Sequence, residues 1–181
     1  TNIRITLTEE GKVVLGGRTD AAQIPADLIQ YLYETFPADK MRDALWLPDS
    51  DGNRQPVKAV LYGEGYGAKI QKGGGNYRRD GDVSLRLFDV LIGETWLALQ
   101  DVQDVARQLE VATVQRIEAA NGELLTTQDI VEYVRIGLTS IVAEQEGTKG
   151  TIAEGVVAFT NPPLFNGRGQ RLMWKLKTKD F

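Results

Sequence analysis

A chain of 181 residues with 42% hydrophobic content suits one domain of ordinary size with a core of its own, which excludes global disorder. Cys and His are both absent, which removes disulfides, thiolate and imidazole metal sites, Ser-His-Asp triads and histidine bases together. The net charge of −4 argues against non-specific nucleic-acid binding, yet Arg168, Arg171, Lys175, Lys177 and Lys179 follow one another in 166–179 without an acid between them.

In chain order, Ile3, Ile5 and Leu7 alternate with Arg4 and Thr6, which is the period of a strand. Glu10-Gly11 turns this strand into Lys12–Leu15, so a hairpin opens the chain. Pro25-Ala26-Asp27 starts a helix whose apolar stripe is Leu28, Ile29, Leu32 and Phe36. Residues 48–53, PDSDGN, read as a turn. Strands are expected over Val57–Tyr62 and Val83–Ile92, and a short helix over Asp101–Leu109. Thr126-Thr127-Gln128-Asp129 resembles a capping box and opens a helix carrying Ile130, Val131, Val134, Leu138 and Ile141 on one side. Strands over Gly155–Thr160 and Leu172–Lys177 close the chain. Without regular βαβ alternation, this order predicts an α+β fold of mostly antiparallel sheet with flanking helices. No apolar run approaches the roughly 18 residues of a membrane span, and TNIRITLTEE has no signal-peptide pattern. The expectation is a cytoplasmic protein with no membrane partner.

Four stretches invite a functional reading beside an ordinary one. Residues 61–77, LYGEGYGAKIQKGGGNY, are neither a Walker A loop nor a dinucleotide fingerprint, because the glycine spacing fits neither. They read as a mobile hairpin loop, or as a strand end that delivers the Glu64 carboxylate to a hydroxyl or a metal. Phe88, in SLRLFDVLI, is a core aromatic or a face on which a base stacks. Glu154, in AEGVVAF, is a solvated carboxylate or a ligand. Lys175 and Lys177 alternate with Trp174 and Leu176, so they share one face of a strand. They form the polar side of an edge strand, or two ammonium groups aimed at one phosphate.

Taken in order, YGEGYGAKIQKGG, LRLFDVLIG, EGVVAF and WKLK resemble the adenylation domain of ATP-dependent RNA ligases of the RNA-repair type, within the covalent nucleotidyltransferases. TNIRI looks like the segment directly after the nucleophile motif, Lys-x-Asp-Gly or Lys-x-His-Gly, in such ligases. The resemblance implies an ATP-grasp-like ligase fold over 1–181 with a nucleotide-binding groove between sheets, in which Glu64, Phe88, Glu154, Lys175 and Lys177 converge. It implies that Asn2 positions a phosphate or the 3′ end, and that Arg18, in GGRTD, lies near the nucleotide phosphates. Glu64 would bind the ribose hydroxyls and Phe88 would stack on adenine, with the glycines letting backbone pass close to the nucleotide. Glu154 would contact the metal or the reacting lysine, and Lys175 and Lys177 the α-phosphate.

The implied cofactors are ATP and Mg²⁺ or Mn²⁺, and the implied partners are ATP or AMP and RNA or nicked nucleic acid, bound by a monomer. Lysines, carboxylates and a metal suffice for such phosphoryl transfer, so a chain without His and Cys loses nothing. The nucleophile motif itself is not among these residues, and Lys12, beyond the hairpin turn, does not replace it. The chain as written is therefore expected not to self-adenylate and to carry no C-terminal accessory domain. A DNA ligase or capping-type nucleotidyltransferase shares the implied fold, and a non-catalytic nucleotide- or nucleic-acid-binding module is the alternative from another class.

Overall fold

A computed structural model of the chain describes residues 1–67, 70, 74–78, 81–117, 125–160 and 163–181. Its contacts divide the chain into two compact units, Thr1–Val114 and Gln115–Phe181. The architecture is α+β with mostly antiparallel pairing, as the pattern predicts.

In the first unit, β1 (Asn2–Leu7) and β2 (Val13–Gly17) form the expected hairpin, and Gly11 at φ +74° makes its turn. Strands β3 (Ala59–Gly67), β4 (Val83–Ile92) and β5 (Thr95–Trp96) extend the sheet in the order β2-β1-β3-β4-β5. A short β6 (Ala112–Thr113) adds to β4 in parallel. Three helices supply the apolar cover: α1 (Ala26–Thr35), α2 (Ala38–Leu45) and α3 (Leu99–Gln108). Leu28 and Leu32 of α1, Met41 and Leu45 of α2, and Val102 and Val105 of α3 form one core with Ile3, Ile5, Leu61, Leu85, Leu87 and Val90 of the sheet. Each fully buried Leu or Ile contributes about 1.5–3 kcal/mol before entropy is subtracted. The α2 helix lies outside the sequence expectation, although Met41 and Leu45 are spaced i, i+4.

Strand β3 differs from the sequence reading. The expected strand stops at Tyr62 and leaves Glu64 beyond its end, but the ladder runs on to Gly67 and places Glu64 inside it. The glycines explain why, and they face away from the polar side. A Cβ on Gly63 would lie 2.8 Å from Leu85 Cδ2, and one on Gly65 would lie 2.6 Å from Leu28 Cδ2. They admit core leucines against the backbone on the helix-covered side. Pairing with β1 and β4 on either flank then overrides the low strand propensity of glycine.

In the second unit, α4 (Thr127–Arg135) begins with the expected capping box. Asp129 N–H donates to Thr126 Oγ1 (3.2 Å) and Thr126 N–H donates to Asp129 Oδ2 (2.8 Å), so the shorter Asp reaches far enough. The apolar stripe through Leu138 and Ile141 does not belong to one helix. Gly137, at φ +81°, follows the end of α4, and α5 (Ile141–Gln145) restarts with Ser140 Oγ accepting from Ala143 N–H (3.2 Å). Strands β7 (Gly155–Phe159) and β8 (Met173–Lys177) pair antiparallel, with Gly155 opposite Lys177 and Val157 opposite Lys175.

Candidate functional site

Side-chain alternation gives β3 two different faces. Its odd positions from Ala59 to Gly67 are buried, while Tyr62, Glu64 and Tyr66 are half-buried on the other side. Residues directly opposite in an antiparallel pair share a face. Glu64 lies opposite Asn2 of β1 and opposite Arg86 of β4, so these three side chains form one row across the sheet.

A β-bulge brings Phe88 to the same face. Tyr62 pairs with Asp89 and Gly63 with Leu87, which leaves Phe88 as the extra residue of β4. Leu87 and Val90 are fully buried, so both residues between them fall on the Glu64 side. Phe88 is accordingly half-buried and not part of the core cluster. Bulges of this kind re-aim a side chain next to functional sites. Tyr62 and Trp96 stack nearby with ring centroids 5.3 Å apart. The Thr1 amino group donates to Glu64 Oε1 (2.6 Å) and Gly65 O (2.6 Å).

Asn2, Glu64 and Phe88 are thus together. Arg18 is exposed just beyond β2, one residue past the pair of Gly17 with Ile3. The basic side chain next to the row on β1 is Arg4, opposite Tyr62, whose Nε donates to Gly17 O (2.8 Å) and whose Nη2 pairs with Asp20 (2.6 Å). Arg86 escaped the sequence reading altogether. It is 7% exposed, donates from Nε to Tyr66 Oη (3.3 Å) and from Nη1 to Thr113 O (3.2 Å), and puts a fixed cation beside Glu64. The signal was a charge two residues before Phe88, which only the register of β4 against β3 makes meaningful.

The second unit carries Glu154, Lys175 and Lys177. Lys177 Nζ donates to Glu154 Oε1 (2.6 Å), and Lys175 Nζ lies 3.6 Å from the same oxygen. The Lys177 hydrogen bond, helped by the charge of Lys175, holds the Glu154 carboxyl below its ordinary value of 4.5, and the same bond raises Lys177. Backbone fixes the carboxylate's position: Thr178 N–H donates to Glu154 O (2.9 Å) and Thr178 Oγ1 to Ala153 O (2.8 Å). Gly155 has φ +152°, and a Cβ there would run into Leu176 O, so only glycine lets β7 start this close to β8. Lys179 follows Lys177 at strand spacing in the sequence, but it does not share the lysine face. The strand ends at Lys177 and a single 3₁₀ turn, Thr178–Asp180, breaks the period that would keep Lys179 on the lysine face.

Among the described residues no group of three or more Asp and Glu gathers as a metal cage. Glu154 is the one carboxylate among the described residues that ion-pairs with both lysines, and it offers a single protein carboxylate there. A groove of about 340 Å³ lined by Asp27, Tyr31, Arg78 and Asp82 shares none of the expected site residues. In the Ile-Gln-Lys stretch, Ile70 packs against the first unit's core, while Gln71 and Lys72 lie outside the described residues. No helix among the described residues is long and apolar enough to cross a membrane.

These features define a protein of the α+β class. A family model described as RNA ligase matches residues 1–176, and the chain belongs to that family. Among curated proteins none matches it.

Proposed function

We propose that the chain is the adenylyltransferase domain of an ATP-dependent RNA ligase, which joins a 3′-hydroxyl to a 5′-phosphate through a lysyl-AMP intermediate. The observation that supports this best is the bulge in β4, which turns Phe88 onto the sheet face that carries Asn2 and Glu64. A carboxylate and an aromatic ring on one rigid face suit the two ends of a nucleoside. Glu64 accepts hydrogen bonds from the ribose hydroxyls, and Phe88 offers its ring to adenine.

In the first step, a lysine amine from the Lys-x-Asp/His-Gly motif attacks the α-phosphorus of ATP. The N–P bond forms as the bond to the β-phosphate oxygen breaks, and pyrophosphate leaves. AMP then passes to a 5′-phosphate, and a 3′-hydroxyl displaces it to form the phosphodiester. Lys175 and Lys177 neutralise charge on the α-phosphate, and Glu154 keeps both ammonium groups oriented before nucleotide arrives. Glu154 would be the protein carboxylate for a Mg²⁺ or Mn²⁺ ion that takes its other oxygens from phosphate and water, and such an ion would add charge neutralisation on the phosphates.

Nucleotide binding tests these assignments without the chemical step. Phe88→Ala is expected to weaken ATP binding by about five- to a hundredfold, the worth of one stacked base, while Phe88→Trp retains it. Glu64→Ala is expected to erase a preference for ATP over 2′-deoxy-ATP, because the lost partner is the ribose hydroxyl. Calorimetric titration of both nucleotides checks this. Unchanged ATP affinity in Phe88→Ala overturns the base-stacking role.

A further inference from the structure

Residues 163–172, in the connection between β7 and β8, are not an irregular loop. Among them, Leu172 N–H donates to Leu164 O (2.7 Å), Asn166 N–H to Gln170 O (2.8 Å), and Phe165 bridges Arg171 in antiparallel register. The tip is held by the Asn166 side chain, whose Oδ1 accepts from Arg168 N–H (2.9 Å) and Gln170 N–H (3.0 Å), with Gly169 in the left-handed region at φ +71°. Residues 164–172 are a preformed hairpin that projects from the lysine strand.

Its surface is unusual for this protein. Phe165 is 51% exposed, and Arg171 is its direct cross-strand neighbour, so ring and guanidinium share one side. Arg168 stands exposed at the tip. Residues 161–181 hold five of the chain's 21 basic residues and one of its 25 acidic ones. With five bases against one acid, this segment is basic in a chain of net charge −4, and it leaves an aromatic ring in solvent. Arg171 has the same strand parity as Lys175 and Lys177 and lies roughly 13 Å from Lys175 along an extended chain, a short run of nucleotides away.

We propose that hairpin 164–172 is a binding surface for a single-stranded RNA segment, with Arg168 and Arg171 on phosphates and one unpaired base stacked on Phe165. Charge complementarity selects a polyanion, and the exposed ring selects one with unstacked bases. Because the hairpin is already ordered, little conformational entropy is lost when it engages. This surface rests on the chain's place among RNA ligases and extends the proposed function from the nucleotide to the polynucleotide.

The test is RNA binding without ATP, so that a failure of adenylyl transfer leaves the readout intact. The probe is a 5′-phosphorylated, labelled, unstructured oligoribonucleotide followed by anisotropy at several salt concentrations. Arg168→Ala with Arg171→Ala is expected to weaken binding and to reduce the salt slope by about 1.4, two phosphate contacts on a single strand. Phe165→Ala is expected to weaken binding by about five- to a hundredfold while leaving the slope unchanged. Lys149→Ala, on an exposed loop of the same unit, leaves both unchanged. All four substituted side chains are exposed or half-exposed, and circular dichroism confirms the fold. Unchanged RNA affinity in both hairpin variants overturns the proposal. So does a Phe165→Ala effect that persists with heparin as the probe, since a polyanion without bases has nothing to stack.

Discussion

Lys177→Ala is expected to slow lysyl-AMP formation about a hundredfold in a chain that joins residues 1–181 to a Lys-x-Asp/His-Gly motif, because one preorganised electrostatic contact at a transferring phosphoryl group is worth about 3 kcal/mol. The side chain is only partly covered and its strand is paired through backbone, so the fold should survive. The same variant carries a second, independent readout. Glu154 is held below 4.5 first of all by the Lys177 hydrogen bond. Removing that donor should move the carboxyl back up toward 4.5, with Lys175 retaining part of the depression. A depressed carboxyl stabilises the fold above its ordinary pKa, and that contribution is lost as pH falls through the lowered value. The variant should lose the share of this acid-side dependence that the Lys177 hydrogen bond provides, and keep the share due to Lys175. Single-turnover adenylation and a carbon-detected titration of Glu154 measure the two effects. Lys179→Ala is the control, because the 3₁₀ turn takes Lys179 off the lysine face. Equal rate losses in both variants would indicate a general basic patch, and an unchanged rate in Lys177→Ala would remove β8 from the active site.

Gly155→Ala is expected to have the largest structural effect of any single methyl in the second unit. The backbone there has φ +152°, and the new Cβ would collide with the Leu176 carbonyl, a rigid backbone atom. Strain at such a φ costs about 1–3 kcal/mol, and overpacking against backbone adds about 1–3 kcal/mol more. The β7–β8 register should fail first at Gly155 opposite Lys177, which releases Glu154 from the lysine pair. Gly147→Ala provides the comparison. Gly147 also has positive φ, +80°, but meets nothing within 4 Å, so only the left-handed cost of about 1–2 kcal/mol applies. Amide hydrogen exchange at Val157 and Lys175 should rise steeply in Gly155→Ala and hardly in Gly147→Ala. Equal protection in the two variants contradicts the close-approach role of Gly155.

Local features of the chain were legible without coordinates. Alternation identifies β1, the Pro25 start and apolar stripe identify α1, and Thr126 with Asp129 identifies the cap of α4. What escaped depends on partners distant in sequence. The glycines of β3 look like loop residues until Leu28 and Leu85 are seen to fill their places. Phe88 and Asp89 alternate in sequence, yet a bulge set by pairing with Tyr62 and Gly63 puts both on one face. Arg86 becomes a site neighbour only through that register. Lys179 keeps strand period in the sequence, but the turn at Thr178–Asp180 ends the strand before it. At the candidate site, residue types and their order were readable, whereas faces and neighbours were not.

The measurement that bears most directly on adenylyl transfer is the intact mass of a chain that joins residues 1–181 to a Lys-x-Asp/His-Gly motif, after incubation with ATP and Mg²⁺. The expected result is a covalent AMP adduct that disappears when pyrophosphate is added, because the first step is reversible, and no adduct on residues 1–181 alone. A chain of that kind that stays unmodified and nonetheless seals RNA with ATP would contradict a lysyl-AMP intermediate.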